Sequence, residues 1–294
     1  MPEHSPQPEL IHLPTEPGHT VAARVFLSPQ QATKGVCILA PATGVAQYLY
    51  DDFARWLNAQ GYHAVTFDYD GIGLSVTGHV RDSQSDMLTW AEHDGPAVLR
   101  YAGERFGGDE IIWIGHSIGG HLLGMMPDTG NISRAITVGS GTGTWWLNSP
   151  PTRRVSWLLW GVIVPVTVPL AGYFPGKRLK MMCDLPRGVI WQWRRWCMRR
   201  EYCVGAEGDW LRQRFAAVRV PITSVYFSDD EMMSPANVRD LHGFFSNAPQ
   251  TQTVIQPGDV GMTRIGHIGW HRERFRPVWE QVFLPILQPV TAAP

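Results

Sequence analysis

A chain of 294 residues, 44% of them hydrophobic, can hold one large α/β domain or two ordinary ones and bury a sizeable core without disulfide or metal staples. The formal charge of −1, with 25 basic against 26 acidic residues, leaves no basic footprint for nucleic acid and no acidic tail, so DNA and RNA are excluded as expected partners. Cys37, Cys183, Cys197 and Cys203 form neither a C-x-x-C pair nor a zinc-finger spacing, so reduced structural thiols are expected, with no metal site.

In chain order, the opening MPEHSPQPEL is polar and proline-rich and lacks the features of a secretory signal, which makes the cytoplasm the expected compartment. Short β-rich runs then alternate with helical patterns. The strands are TVAARVFL, GVCILA, HAVTFDY, EIIWIG and RAITVG. The helices cover DDFARWLNAQG, about 83 to 106, and the residues after Ser117. Apolar strands separated by amphipathic helices predict a mostly parallel central sheet with helices on both faces. The same alternation resumes near residue 218 with ITSVYF, a helix from about 235 to 245, TQTVI and a closing helix from about 271 to 287.

Between these halves, residues 142–217 differ in composition and hold eight of the thirteen tryptophans. Residues 1–141 and 218–294 are therefore expected to form one core, with 142–217 a helical, Trp-rich cap inserted between two strands. Residues 155–176 carry no charge and are long enough to span a bilayer. A single span would separate strands of one sheet, and Pro165 and Pro169 interrupt the run, so a pair of apolar cap helices is the preferred reading. Docking of the cap on a membrane surface is a third. Most of the cap tryptophans are expected to form its own small core, and Arg194, Arg195, Arg199 and Arg200 its solvated face.

The stretch IIWIGHSIGGH carries the chemistry. Strand residues lead into Gly115-His116-Ser117-Ile118-Gly119, with helical spacing beyond. A nucleophile elbow needs that context: a serine on a sharp strand-to-helix turn, with small residues two before and two after it. A serine hydroxyl also needs a base oriented by an acid. Asp229 and Asp230 follow the predicted strand ITSVYF, and His267 lies on a glycine-flanked loop before the last helix. His116 and His121 are too close in sequence to serve as base, and His116 is read as a packing or hydrogen-bonding support. His271 makes H-x-x-x-H with His267 but lacks the glutamate of a zinc helix. GIGLSV ends in Val76 where a dinucleotide fingerprint needs glycine, and there is no Walker motif, so no cofactor is implied.

With these motifs the chain resembles the α/β-hydrolase superfamily, in particular its lid-bearing monoacylglycerol lipases and serine aminopeptidase-like hydrolases. FDYDGIGLS is similar to that family's aspartate-and-glycine turn. The resemblance implies Ser117 as nucleophile and His267 as general base. It favours Asp230 over Asp229 as the acid, because Ser234 follows Asp230 at the family's spacing. The oxyanion hole would use the N–H of Ile118 and a second N–H from the loop after GVCILA. Relatives begin that loop with His-Gly; here Pro41-Ala42-Thr43-Gly44-Val45 makes Thr43 the expected donor and Gly44 its neighbouring alternative. The expected activity is hydrolysis of a carboxylic ester with an apolar part. Amidase, peptidase or thioesterase chemistry by the same triad, and ligand binding without catalysis, are the alternatives.

Overall fold

The computed structural model describes residues 7–16, 18–30 and 33–288; residues 1–6, which form part of the polar start, lie outside the described residues. Its centre is an eight-stranded sheet. The strands are β1 (Glu9–Pro14), β2 (Thr20–Phe26), β3 (Val36–Ala40), β4 (His63–Phe67), β5 (Ile111–His116), β6 (Arg134–Val138), β7 (Ile222–Phe227) and β8 (Gln250–Ile255). They lie in the order β1-β2-β4-β3-β5-β6-β7-β8. The pairs β1–β2 and β2–β4 are antiparallel, and every other neighbouring pair is parallel. This is the α/β-hydrolase fold, with helices covering both faces of the sheet. All residues of β3 and β5 are buried, which is why these strands read as unbroken apolar runs. One apolar cluster, including Trp90, Trp113, Leu122 and Phe215, packs one face; a second, including Phe53, Trp56, Trp270 and Trp279, packs the other.

The register aligns the carboxyl ends of the central strands. Ala40 pairs with Gly115, Gly115 with Thr137 and His116 with Val138. The loops after β3, β5 and β6 therefore leave the sheet side by side, where open α/β sheets bind ligands.

Between β6 and β7 the chain leaves the sheet and forms helices Pro150–Ala171, Arg187–Cys197, Tyr202–Glu207 and Asp209–Ala217. The first departs from the expected helix pair: it runs continuously through Pro165 and Pro169. A π-helical turn at Leu159–Ile163 precedes Pro165, and such a local re-pairing lets a helix absorb a residue without an N–H. The tryptophans also differ from expectation. Of the eight in residues 142–217, only Trp160 and Trp196 are buried; Trp146, Trp157 and Trp210 are exposed and the other three partly so. The segment is pinned to the core by polar contacts. The Gln192 side chain accepts from the Met87 N–H at 2.7 Å, and the Cys183 N–H donates to the Gly44 carbonyl at 2.9 Å. Arg195, Arg199 and Arg200 face solvent, while the half-buried Arg194 donates through Nε to the Trp160 carbonyl at 2.6 Å.

Candidate active site

Ser117 sits between β5 and helix Ile118–Met125 with φ 53° and ψ −115°. A side chain at such dihedrals is strained, and the surrounding structure must hold it there. The Ser117 N–H donates to the Val138 carbonyl at 2.9 Å, while the Ser117 carbonyl accepts from Ser140 Oγ at 2.9 Å and the Gly120 N–H at 3.0 Å. The flanking glycines provide the room. A Cβ on Gly119 would lie 2.2 Å from the Ala40 carbonyl oxygen, and one on Gly115 2.4 Å from the Gly119 backbone. No larger residue fits either place without moving the strand or the helix. Ile118 opens the helix, so its N–H has no acceptor within it and lies at the positive end of the helix dipole.

The loop after β3 turns back through a bond from the Val45 N–H to the Ala42 carbonyl at 3.1 Å, with Gly44 at φ 68°. In a turn closed this way the N–H of its second residue, Thr43, stays outside the closing bond. Gly44, the alternative donor, has its carbonyl tied to Cys183 and little space above it: a Cβ there would lie 3.0 Å from that of Met182.

Of the two candidate acids, Asp230 is the one in contact with the imidazole. Its Oδ2 accepts from His267 Nδ1 at 2.7 Å, and its Oδ1 from the N–H groups of Met232 and Met233 at 2.8 and 2.7 Å. Asp229 turns the other way and accepts from the N–H groups of Ile265 at 2.8 Å and Gly266 at 3.2 Å. Glu231, which sequence reasoning missed, accepts from the His267 N–H at 3.0 Å. Three consecutive carboxylates thus hold one loop. The signal was the acidic run Asp229-Asp230-Glu231 itself, but its targets are backbone groups that no motif displays.

His116 completes the grip on His267. Its Nε2 lies 3.1 Å from the His267 carbonyl, which can only accept, so Nε2 carries the proton. His116 Nδ1 must then accept from the Tyr50 hydroxyl, 2.7 Å away, and the Tyr50 oxygen in turn accepts from the Ala42 N–H at 3.0 Å. This chain of bonds links the loop after β3, the residue before Ser117 and the histidine loop. It gives His116 the supporting place expected of it and adds Tyr50, which the sequence did not suggest. Burial, then the nearby His267 and His271, holds His116 well below the usual histidine range. Burial likewise lowers His121 to about 3 and His271 to about 4. His121 Nε2 binds the Gly141 carbonyl at 2.9 Å and His271 Nδ1 the Leu49 carbonyl at 2.6 Å, so neither ring faces Ser117 through those atoms.

His267 is 2% exposed. Burial pushes its pKa down, but the charge and hydrogen bond of Asp230, with the charge of Glu231, outweigh this and raise it above the ordinary value. Its N–H, carbonyl and Nδ1 are all engaged, leaving Nε2 as the remaining polar atom. Two proximities set the ring near residues that flank Ser117 or hold it. His116 and His267 have ring centroids 5.3 Å apart, and a Cβ on Gly139, next to the Val138 that holds Ser117, would lie 3.3 Å from His267 Nδ1.

A cavity of about 350 Å³ is lined by side chains that include Leu159, Trp160, Trp193 and Met182 and reaches the turn after Asp230 at Met232 and Met233; Ser117, Asp230 and His267 are not in its lining. Among the described residues lining it, none carries a charge. A larger groove, about 580 Å³, passes Arg100, Ile111 and Asp128 at the amino end of β5, remote from Ser117, and plays no part in this geometry.

Residues 31–257 match the profile of the family described as serine aminopeptidase, S33. The chain belongs to this family of α/β hydrolases. Among curated protein sequences none matches. Solved structures share the fold at low identity. A soluble variant of monoglyceride lipase from Saccharomyces cerevisiae, bound to a substrate analog, is 16% identical with a TM-score of 0.66, over 98% of this chain and 96% of that one. A thermostable carboxyl esterase from Bacillus coagulans is 12% identical with a TM-score of 0.63, over 96% and 97%. The Pyrococcus furiosus esterase Pf2001 is also 12% identical, with a TM-score of 0.62 over 96% and 90%.

Proposed function

We propose that this hydrolase cleaves a carboxylic ester with an apolar moiety through an acyl-enzyme on Ser117, beneath a cap formed by residues 142–217. The observation that carries the reading is the polar saturation of His267. With its N–H, carbonyl and Nδ1 held by Glu231, His116 and Asp230, the ring keeps Nε2 outside these bonds, and it packs near His116 and Gly139, the neighbours of the strained Ser117 and of the Val138 that holds it. Ser117 Oγ attacks the ester carbonyl and its proton passes to His267 Nε2, while Asp230 stabilises the imidazolium. The oxyanion is held by the N–H groups of Ile118 and Thr43. As the tetrahedral centre collapses, the alkoxide leaves with the proton from His267. Water then attacks the acyl-enzyme with the same base, releasing the acid and restoring Ser117.

The uncharged cavity favours an ester over a peptide. An aminopeptidase must bind a substrate ammonium, which is costly to bury without a carboxylate partner. The esterases and monoglyceride lipase that share the fold support the same choice. The test is a fluorophosphonate probe with an ester panel of increasing acyl length. Labelling should map to Ser117, and Ser117→Ala should lower kcat by a factor on the order of 10⁶. Full activity in that variant, or labelling elsewhere, refutes the proposal.

A further inference from the structure

Residues 150–183 contain no Asp or Glu and five cations, Arg153, Arg154, Lys177, Arg178 and Lys180, in a chain whose formal charge is −1. All five are exposed, two in the first turn of helix Pro150–Ala171 and three just beyond its end. Between them Val155, Leu158, Val162, Val166 and Leu170 recur at steps of three or four residues. Each is exposed, Leu170 by 84% and Val155 by 58%, and Trp157 is exposed beside them by 58%. Only 22% of the helix's most apolar stretch is buried. A stripe of this length is unlike the singly scattered apolar residues of an ordinary surface.

The opposite side of the helix is already used. Trp160, Val164 and Val168 are buried against the body, and the start of the helix is tied down by Ser149 Oγ and Thr152 Oγ1, which donate to the Asp230 and Glu231 carbonyls at 2.8 and 2.6 Å. A helix packed on one side, apolar on the other and flanked by cations has the form of one that lies in a bilayer interface, not across it. We propose that this face docks on an anionic lipid bilayer. Its cations meet the headgroups and its stripe enters the acyl boundary.

The stripe also continues inward, because Val155, Leu158, Leu159 and Ile163 line the cavity that ends at Met232 and Met233. An apolar ester can therefore pass from the bilayer to the cavity without crossing water. This delivery rests on the ester reading above, whereas the docking does not.

The experiment is flotation of the full chain with vesicles of phosphatidylcholine alone or with about one third phosphatidylglycerol, in low and high salt. The wild type should float with the anionic vesicles, and salt should weaken this. Val166→Glu/Leu170→Glu should abolish flotation. Lys177→Gln/Arg178→Gln/Lys180→Gln should weaken it about tenfold or more and remove the preference for anionic lipid. None of these residues lines the cavity, so hydrolysis of a soluble short ester should be unchanged in both variants, while activity on vesicle-borne ester should fall. No flotation of the wild type, or equal flotation of the Glu variant, overturns the proposal. So does a dimer in sedimentation that the Glu variant splits while no vesicle binds. Flotation that is intact in a protein inactive on every ester upholds the docking and refutes only the ester chemistry.

Discussion

Replacing the three consecutive acids one at a time should separate their roles. In Asp230→Asn the retained Oδ1 still accepts the N–H groups of Met232 and Met233, so the turn after β7 keeps its bonds. The new amide faces His267 Nδ1, across the present 2.7 Å, with a group that can only donate. Nδ1 must then accept, and the ring proton moves to Nε2, the atom that takes the Ser117 proton in the proposed mechanism. The expected loss is about 10⁴ in kcat, or about 5 kcal/mol of transition-state stabilisation, with little change in melting temperature. Asp229→Asn, with its amide oxygen where Oδ2 now lies, keeps an acceptor for both Ile265 and Gly266 but loses the charge behind the two amide bonds. It should cost about 1–3 kcal/mol of stability and less than about tenfold in kcat. Glu231→Gln can still accept from the His267 N–H, so its effect should be a lower pH midpoint of activity, since one cause of the raised His267 pKa is gone. Steady-state kinetics across pH, with denaturant melts of each variant, read all three outcomes. If Asp229→Asn falls as far as Asp230→Asn, or Asp230→Asn stays within tenfold of wild type, the assignment of the acid is wrong.

Tyr50→Phe should leave the Ala42 N–H and His116 Nδ1 without their partner, costing about 2–4 kcal/mol in a denaturant melt and about tenfold in kcat. Gly119→Ala would press a Cβ to 2.2 Å from the Ala40 carbonyl oxygen and should lose at least about 1–3 kcal/mol together with most activity; Gly243→Ala, in a helix with open space around the new methyl, should be neutral or stabilising in the same melt. Activity should rise with pH through a midpoint above the ordinary histidine value, because His267 must be neutral to act as base and its pKa is raised; a stopped-flow or pH-stat profile locates that limb. For stability the signs oppose: the His267 contribution is present below its ordinary value and lost as pH rises through the raised one. Those of His271 and His121 are present above about 6.5 and lost as pH falls toward about 4 and about 3. Thermal melts from pH 8 to about 4 should therefore show net destabilisation on the acid side, where several buried imidazoles must charge.

What the sequence displayed follows from the range of the interactions involved. β3 and β5 are buried on both faces, so their burial appears as uninterrupted apolar runs and the parallel sheet was legible from them. β1 was missed because it is an edge strand, with only Leu13 buried and Pro14 at its end, and an edge strand asks little of its side chains. The elbow was legible because the two glycines it demands stand two residues either side of Ser117, even though the atom that excludes a Cβ at Gly119 belongs to the distant Ala40. The continuous helix through Pro165 was not, since a π-turn is a backbone solution that leaves no mark on composition. The tryptophans of residues 142–217 misled for a related reason: their number reports aromatic content, whereas the direction each ring faces depends on how the segment's helices divide their faces between body, cavity and solvent.

The same limit separates Asp229 from Asp230. Adjacent residues at the end of a strand point apart, and which of them meets His267 is decided by the turn, where the Asp230 N–H bonds to the Phe227 carbonyl at 3.1 Å. Beyond that turn Asp230 bonds His267 Nδ1, while Asp229 bonds the amides of Ile265 and Gly266. The histidine loop is therefore held from two sides by a single turn, and a change in that turn moves the acid and the loop together. Tyr50 and His116 hold the same loop from the opposite flank, through bonds spanning 66 and 151 residues of sequence. No local pattern can encode contacts of that separation. They arise because the register of β3, β5 and β6 sets three loops side by side, and it is the sheet that makes one imidazole nitrogen the last polar atom left free.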